Sequence, residues 1–288
     1  MDRPGLLSES NVAIIGLGLM GGSLALALQG HCSGLFGVDR DPAVRALASE
    51  RKVVERIFSD PASALRSADL VILATPVRTI LQILSELPAL HPGCPVVIDL
   101  GSSKMEIVRA MQALPARFDP LGGHPMCGKE QSSLRNAEAE LFRGARFAFT
   151  PLPRTTLRAR FLAADLASAV GAVPLWLDPV THDCWTAATS HLPYLVASAL
   201  AASTPFEAAP MVGPGFRSTA RLAGSSTEMM LDVLLTNRSQ VLAALKRFQA
   251  KLDQLEKNLS GEEVAALGEA LAEGARAWSE FSNPGEKT

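Results

Sequence analysis

One stretch constrains this chain more than any other: Asn11-Val12-Ala13-Ile14-Ile15-Gly16-Leu17-Gly18-Leu19-Met20-Gly21-Gly22-Ser23. Val12 to Ile15 read as a buried parallel strand, and Leu24, Leu26 and Leu28 mark the helix that follows. Between them lies a G-x-G-x-x-G turn. Gly16 allows the tight turn, Gly18 lets a pyrophosphate approach the backbone, and Gly21 lets helix and strand pack closely. Leu19 and Met20 belong to the same turn, whose helix offers free N–H groups and the positive end of its dipole to phosphates. Leu35 to Val38 read as the second strand, ending at Asp39, about 20 residues on, where an acid should meet the ribose. The alternative is a glycine-rich turn in some other α/β protein. As a cofactor site, Asp39 would repel a 2′-phosphate and so favours NAD, while the adjacent Arg40 leaves NADP open.

From Asn11 to about Pro151 strands and helices alternate, as in an α/β doubly wound parallel sheet of the Rossmann type. Asp41-Pro42 starts a helix. Asp69–Ala74 and Pro95–Asp99 read as buried strands ending at Thr75-Pro76 and at Gly101 to Lys104. Ligands of such sheets sit beyond the strands' carboxyl ends, so Thr75, Pro76 and Gly101 to Lys104 are expected to line one crevice with the glycine turn. Pro120 to Glu130, rich in Gly and Pro, reads as a loop. Arg146–Pro151 and Val173–Asp178 read as the last strands, flanking a helix over Leu157–Val170. Past Pro179 the strand signals stop, and helical patterns over Cys184–Ala202 and Leu231–Leu259 take over. The expected division is a dinucleotide-binding domain at 1–178 and an all-α helical domain at 179–288, whose apolar faces hint at dimerisation.

With 48% hydrophobic and 19% charged residues the profile is globular, and a net charge of −2 without basic runs argues against nucleic acid as a partner. Cys32, Cys94, Cys127 and Cys184 are too scattered for a zinc site or a disulfide framework, so no metal is expected. No signal peptide and no membrane span is visible, and the expected location is the cytoplasm.

Several residues invite chemistry. A histidine has an ordinary pKa near 6.5, suited to moving a proton at neutral pH, and His124 in Gly-Gly-His-Pro stands at the sheet's carboxyl edge. It is either a base or a loop histidine bonded to backbone. His191, in an apolar helix, is either functional or a packed core residue. His31 and His91 follow helix ends and read as surface; His182, beside Asp178 and Asp183, reads as a helix cap. Ser102 and Ser103 precede a helix, and one of them reads as its N-cap. Arg217 and Arg221, four apart after a Gly-rich loop, are either a carboxylate clamp or two solvated arginines.

Taken together these motifs resemble the prephenate/arogenate dehydrogenase family of tyrosine biosynthesis along almost the whole chain. The shared features are GLGLMGGS, the Ala-Thr-Pro strand end, D-x-G-S-x-K at Asp99–Lys104 and G-G-H-P-M-x-G-x-E at Gly122–Glu130. They continue with S-H-L-P at Ser190–Pro193 and G-F-R followed by Arg221. The resemblance implies NAD(P)-dependent oxidative decarboxylation of prephenate or arogenate. It implies that His124 takes the ring hydroxyl's proton, that Ser102 orients it, and that Arg221 binds a carboxylate. His191 and Glu130 are implied to position the substrate and gate entry, and the helical domain to form a homodimer. Met230 stands where many members carry a tryptophan, two residues before Asp232. Neither a C-terminal regulatory domain nor a fused chorismate mutase is expected, which leaves the active site as the place for tyrosine to act. Two rivals remain: a β-hydroxyacid dehydrogenase of the 6-phosphogluconate type, whose catalytic lysine and asparagine find no match in 179–202, and a non-catalytic NAD(H)-binding regulator, which would need none of the pocket residues.

Overall fold

In the computed structural model, residues 6–129 and 133–282 are described. The glycine turn joins β1 (Asn11–Ile15) to α1 (Leu19–Ala27), and β2 (Gly34–Val38) follows. Asp41 caps α2 (Pro42–Glu50), its carboxylate accepting the Ala43 N–H, with Pro42 at the first turn where no amide is needed. Then come β3 (Arg56–Phe58), α3 (Pro61–Leu65), β4 (Leu70–Leu73), α4 (Val77–Leu90), β5 (Val96–Asp99) and α5 (Met105–Gln112). The sheet is completed by β6 (Asp119–Pro125), β7 (Arg146–Pro151), α6 (Leu157–Ala169) and β8 (Val173–Trp176).

The eight strands form one sheet in the order β3-β2-β1-β4-β5-β6-β7-β8. Crossing from β1 to β4 reverses the direction of travel, so the carboxyl ends of these two strands flank the switch-point crevice. Alternate residues of β1 serve opposite faces. Val12 and Ile14 join Leu24 of α1, Leu28 just after it and Leu162 of α6, whereas Ala13 and Ile15 join Ile80 of α4 and Ile107 of α5. Both faces are thereby covered, which is why the inner strands read as unbroken apolar runs.

Two expectations need correction, one about the sheet and one about His91. Pro120 to Pro125 is strand, not loop: β6 runs parallel to β5 and antiparallel to β7. Its glycines serve close packing, since a methyl group on Gly122 would stand 2.1 Å from Thr150 Oγ1 and one on Gly123 2.5 Å from the Asp99 carbonyl. His91 is buried, with Nε2 2.9 Å from the Ala68 carbonyl and Nδ1 accepting the Gly93 N–H.

Helices follow β8: α7 (Pro179–Thr186), α8 (Leu192–Ser203), α9 (Pro214–Ala220), α10 (Thr227–Thr236), α11 (Arg238–Ser260) and α12 (Val264–Ser282). The single helix expected over Cys184–Ala202 is interrupted by a π-helical segment, Ala187–His191. Pro193 has no N–H to give and its ring presses on the preceding turn, and a widened turn accommodates both. The helix expected over Leu231–Leu259 breaks at Asn237, whose φ of −118° and ψ of 27° leave the helical region. By their contacts the residues form two compact units, Met1–Arg238 and Ser239–Thr288. Within the second, Lys251 on α11 bonds Glu273 on α12 at 2.9 Å.

Candidate active site

The glycine turn fits a dinucleotide. Gly16 adopts a φ of +96°, and a methyl group there would stand 2.7 Å from the Ala74 carbonyl oxygen at the end of β4. Gly18 has nothing within 4 Å of its would-be Cβ, and no side chain caps α1 behind it. The first N–H groups of α1 therefore have the environment that suits a pyrophosphate. Asp39 already holds the turn: its Oδ2 accepts the Leu17 N–H and its Oδ1 the Asp41 N–H, both at 2.9 Å. Each carboxylate oxygen keeps a lone pair for a ribose hydroxyl. Arg40 is exposed and follows directly. Thr75 stands against Gly16, and its hydroxyl is buried with no hydrogen-bond partner among the described residues. Pro76 caps α4 beside it.

Asp99 staples the next two strand ends together. Its Oδ2 accepts the Gly101 N–H at 2.8 Å and the Lys104 ammonium, and its Oδ1 accepts the Gly123 N–H at 3.0 Å. Asp99 and Lys104 are wholly buried; burial pushes the lysine's pKa down while the carboxylate pulls it back up. A buried charge of this kind persists only with a partner. Ser102 is half-buried in this segment, and Ser103 bonds Thr236 of α10 at 2.8 Å. Neither serine caps α5. Asp183 of α7 does so, accepting the Lys104 N–H at 2.6 Å and the Met105 N–H at 2.9 Å.

One residue beyond Gly123 stands His124, the penultimate residue of β6. Its Nδ1 lies 2.9 Å from Nε2 of His182, whose own Nδ1 lies 2.8 Å from Oδ1 of Asp183. His182 is thus no helix cap; Asp178 caps α7. His191, at the end of the π segment, lies 3.2 Å from Nδ2 of Asn237, which donates to the Asp183 carbonyl at 2.8 Å. Three histidines, two acids, a lysine and an asparagine thereby form one connected cluster. The His124 ring is half-buried, whereas His182 and His191 are 1% exposed. Burial, then the neighbouring His182, Lys104 and His191, hold His124 well below its ordinary 6.5. Burial likewise lowers His182 against the pull of Asp183, and brings His191 to about 4. All three are neutral near pH 7, and a neutral half-buried imidazole can accept a proton.

The other expected residues are placed as follows. α9 stops at Ala220, so Arg217 closes that helix while Arg221 opens a 3₁₀ turn, Arg221–Gly224; both are exposed, and α8 packs against the two elements that carry them. Glu130 lies outside the described residues. Met230 is buried in α10. Sequence reasoning passed over Asp183 and Asn237 and misjudged His182. Their only signals were a Thr-His-Asp-Cys opening an apolar helix and an asparagine interrupting another. Among the described residues no helix is long and apolar enough to cross a membrane.

A doubly wound sheet with a pyrophosphate-ready turn, an acid at the end of β2 and a half-buried neutral histidine at the same carboxyl edge fits a nicotinamide-dependent dehydrogenase. Family models agree: "Prephenate dehydrogenase, nucleotide-binding domain" matches residues 24–174 and "Prephenate dehydrogenase, dimerization domain" residues 178–273. The chain belongs to the prephenate dehydrogenase family, is an oxidoreductase, and takes NAD as cofactor. It is 31% identical over 271 residues to the prephenate dehydrogenase of Bacillus subtilis, covering 90% of this chain and 72% of that protein. Its fold is similar to that of prephenate dehydrogenase from Aquifex aeolicus in complex with hydroxyphenyl propionate and NAD⁺ (TM-score 0.88, 30% identity, 96% and 99% of the two chains). It is also similar to Synechocystis arogenate dehydrogenase (TM-score 0.81, 28% identity, 94% and 99%).

Proposed function

We propose that this chain oxidatively decarboxylates prephenate, or its amino counterpart arogenate, with His124 as the base. The observation that carries this reading is a neutral, half-buried His124 at the sheet edge that also bears the glycine turn. Gly16, Gly18, Leu19, Met20 and Gly21 would hold the pyrophosphate and Asp39 and Arg40 the ribose, with Thr75 and Pro76 beyond the end of β4 as further cofactor contacts. When bound, NAD⁺ supplies the hydride acceptor. His124 withdraws the proton from the ring hydroxyl, Ser102 orients that hydroxyl, and Arg221, assisted by Arg217, pairs with a substrate carboxylate. His191 positions the ring. Loss of CO₂ makes the ring aromatic, so the driving force is the substrate's own. The protein's task is orientation, which is worth about 7–11 kcal/mol in well-aligned cases.

A functional boundary at 178/179 follows the end of the sheet, with 179–288 binding substrate and forming a homodimer. On α12, Val264, Leu271 and Trp278 recur every seven residues and are exposed, which supports a helix-to-helix seam.

The test is the absorbance of reduced nicotinamide on mixing the protein with prephenate or arogenate and NAD⁺ or NADP⁺. Rapid reduction in one pairing is expected, with NAD⁺ preferred. Four flat traces from folded protein that binds NAD⁺ would overturn the reading. His124→Asn should lower turnover by about 10²–10⁴-fold with NAD⁺ affinity retained.

A further inference from the structure

We infer that His182 and Asp183 are positioning residues that fix the tautomer of His124, taken as the base. They hold the proton on Nδ1 and leave Nε2 as the atom that receives the substrate's proton. The chain of contacts allows one assignment. Asp183 is a carboxylate whose oxygens accept from the Lys104 and Met105 N–H groups, so it has no proton to offer. His182 Nδ1, 2.8 Å away, must be the donor to it. A neutral imidazole carries one N–H, so His182 Nε2 is left as an acceptor. Across 2.9 Å His124 Nδ1 must then donate, and its only lone pair lies on Nε2. In the reacting complex the substrate O–H bond breaks and an Nε2–H bond forms. The resulting imidazolium has its Nδ1–H aimed at a ring that Asp183 has already polarised.

Asp183 is itself held in place by the two amides at the start of α5 and, through its backbone carbonyl, by Asn237. Each oxygen of that carboxylate accepts one of the two amides, which fixes its orientation and the direction of the chain. In serine proteases, replacing the corresponding aspartate by asparagine leaves the geometry intact and costs about 10⁴-fold in turnover through the wrong tautomer. The same logic sets the expectation for this relay.

The test uses the full-length protein labelled with ¹⁵N-histidine, the His124 resonances being assigned by their loss in His124→Asn. Long-range ¹H–¹⁵N correlation spectra at neutral pH should show His124 with its proton on Nδ1. Asp183→Asn should move that proton to Nε2 and lower kcat by about 10²–10⁴-fold, with KM for substrate and affinity for NAD⁺ little changed. Because Asp183 also caps α5, His182 supplies a second pair of variants. In His182→Gln the amide nitrogen turns to Asp183 and the oxygen accepts from His124, so turnover is largely rescued. In His182→Leu no acceptor remains and turnover falls. A wild-type His124 protonated on Nε2, or equal turnover in the Gln and Leu variants, overturns the relay. If His124→Asn itself keeps its turnover, the base assignment fails instead, and the two failures are distinct.

Discussion

Gly18 and Gly21 lie in one motif, yet a methyl group added at each meets different surroundings. At Gly21 it would stand 1.9 Å from the Gly16 carbonyl oxygen and 2.9 Å from Ala74 Cβ. An ordinary carbon–oxygen contact is about 3.3 Å, so α1 would have to retreat from β1 by about 1.4 Å. Overpacking of this kind costs about 1–3 kcal/mol, against about 1 kcal/mol that alanine gains over glycine inside a helix. The retreat also carries the helix N-terminus away from the phosphates, so Gly21→Ala should lose both stability and NAD⁺ affinity. At Gly18 nothing lies within 4 Å, and its φ of −72° is open to any residue. Gly18→Ala should therefore melt with the wild type. Its methyl group would occupy the approach of the pyrophosphate, and losing a charge-assisted backbone bond costs about 1.5–3 kcal/mol, or about 10- to 150-fold in affinity. Thermal denaturation and calorimetric titration with NAD⁺ separate the two effects. An equal drop in Tm for both variants, or unchanged NAD⁺ affinity in Gly18→Ala, would refute the distinction between packing and cofactor glycines.

Three further outcomes are expected. Arg221→Ala should raise KM for the substrate far more than for NAD⁺ in steady-state assays, since a carboxylate partner is removed; equal rises would point to misfolding. His191 lies at about 4 in the folded chain and at 6.5 once unfolded, so below pH 6.5 the unfolded state binds a proton that the folded state refuses. Stability is fully present above pH 6.5 and is lost as pH falls to about 4, by roughly 3 kcal/mol for this group. His124 and His182 are shifted in the same direction, and denaturant melts of His191→Gln should show a shallower decline across that window. Asp232 of α10 accepts the Arg78 N–H at 3.1 Å at the start of α4 and contacts the Arg78 guanidinium at 3.3 Å. That second contact lacks hydrogen-bond geometry, and Arg78 is 64% exposed, so the cap carries the energy. Asp232→Ala should cost about 1 kcal/mol, read as a fall of about 2–4 °C in Tm.

The fold was legible because its signals are local. Val12 to Ile15, Leu70 to Leu73 and Val96 to Asp99 are short apolar runs with punctuated ends, and periodicity and turn chemistry suffice to place them. His124 was legible for the same reason, lying among glycines and prolines that mark a special backbone. Those glycines also misled, because they signal close packing of β6 on β7 and β5 as readily as a loop. The partners of His124 were not legible. His182 is 58 residues away, and the link from Asp183 to the start of α5 spans 79 residues or 78. No local pattern distinguishes an aspartate that caps its own helix from one that caps another. His191 shows the converse: sequence alone left it between core and function, and its bond to Asn237 joins it to the cluster without removing it from the core.

The helices of the sheet layer that begin at the carboxyl edge explain why the cluster assembles where it does. α4 and α5 each start with backbone amides that need acceptors, and neither has a side-chain cap from its own first residues. α4 takes Asp232 and α5 takes Asp183, both from the helices that follow the sheet, while Ser103 meets Thr236 between them. The positive ends of two helix dipoles thus draw two carboxylates onto the edge where the cofactor turn opens. One of those carboxylates does double service. Asp183 neutralises the start of α5 through both oxygens and, from the same Oδ1, orients His182 toward His124. Docking of α7 and orientation of the His124 ring are therefore one event, and under the proposed relay a change that loosens α7 also releases His124 from its tautomer. Stability and turnover should accordingly fall together in variants of the α7–α5 contact, whereas at Gly18 affinity for NAD⁺ should fall alone.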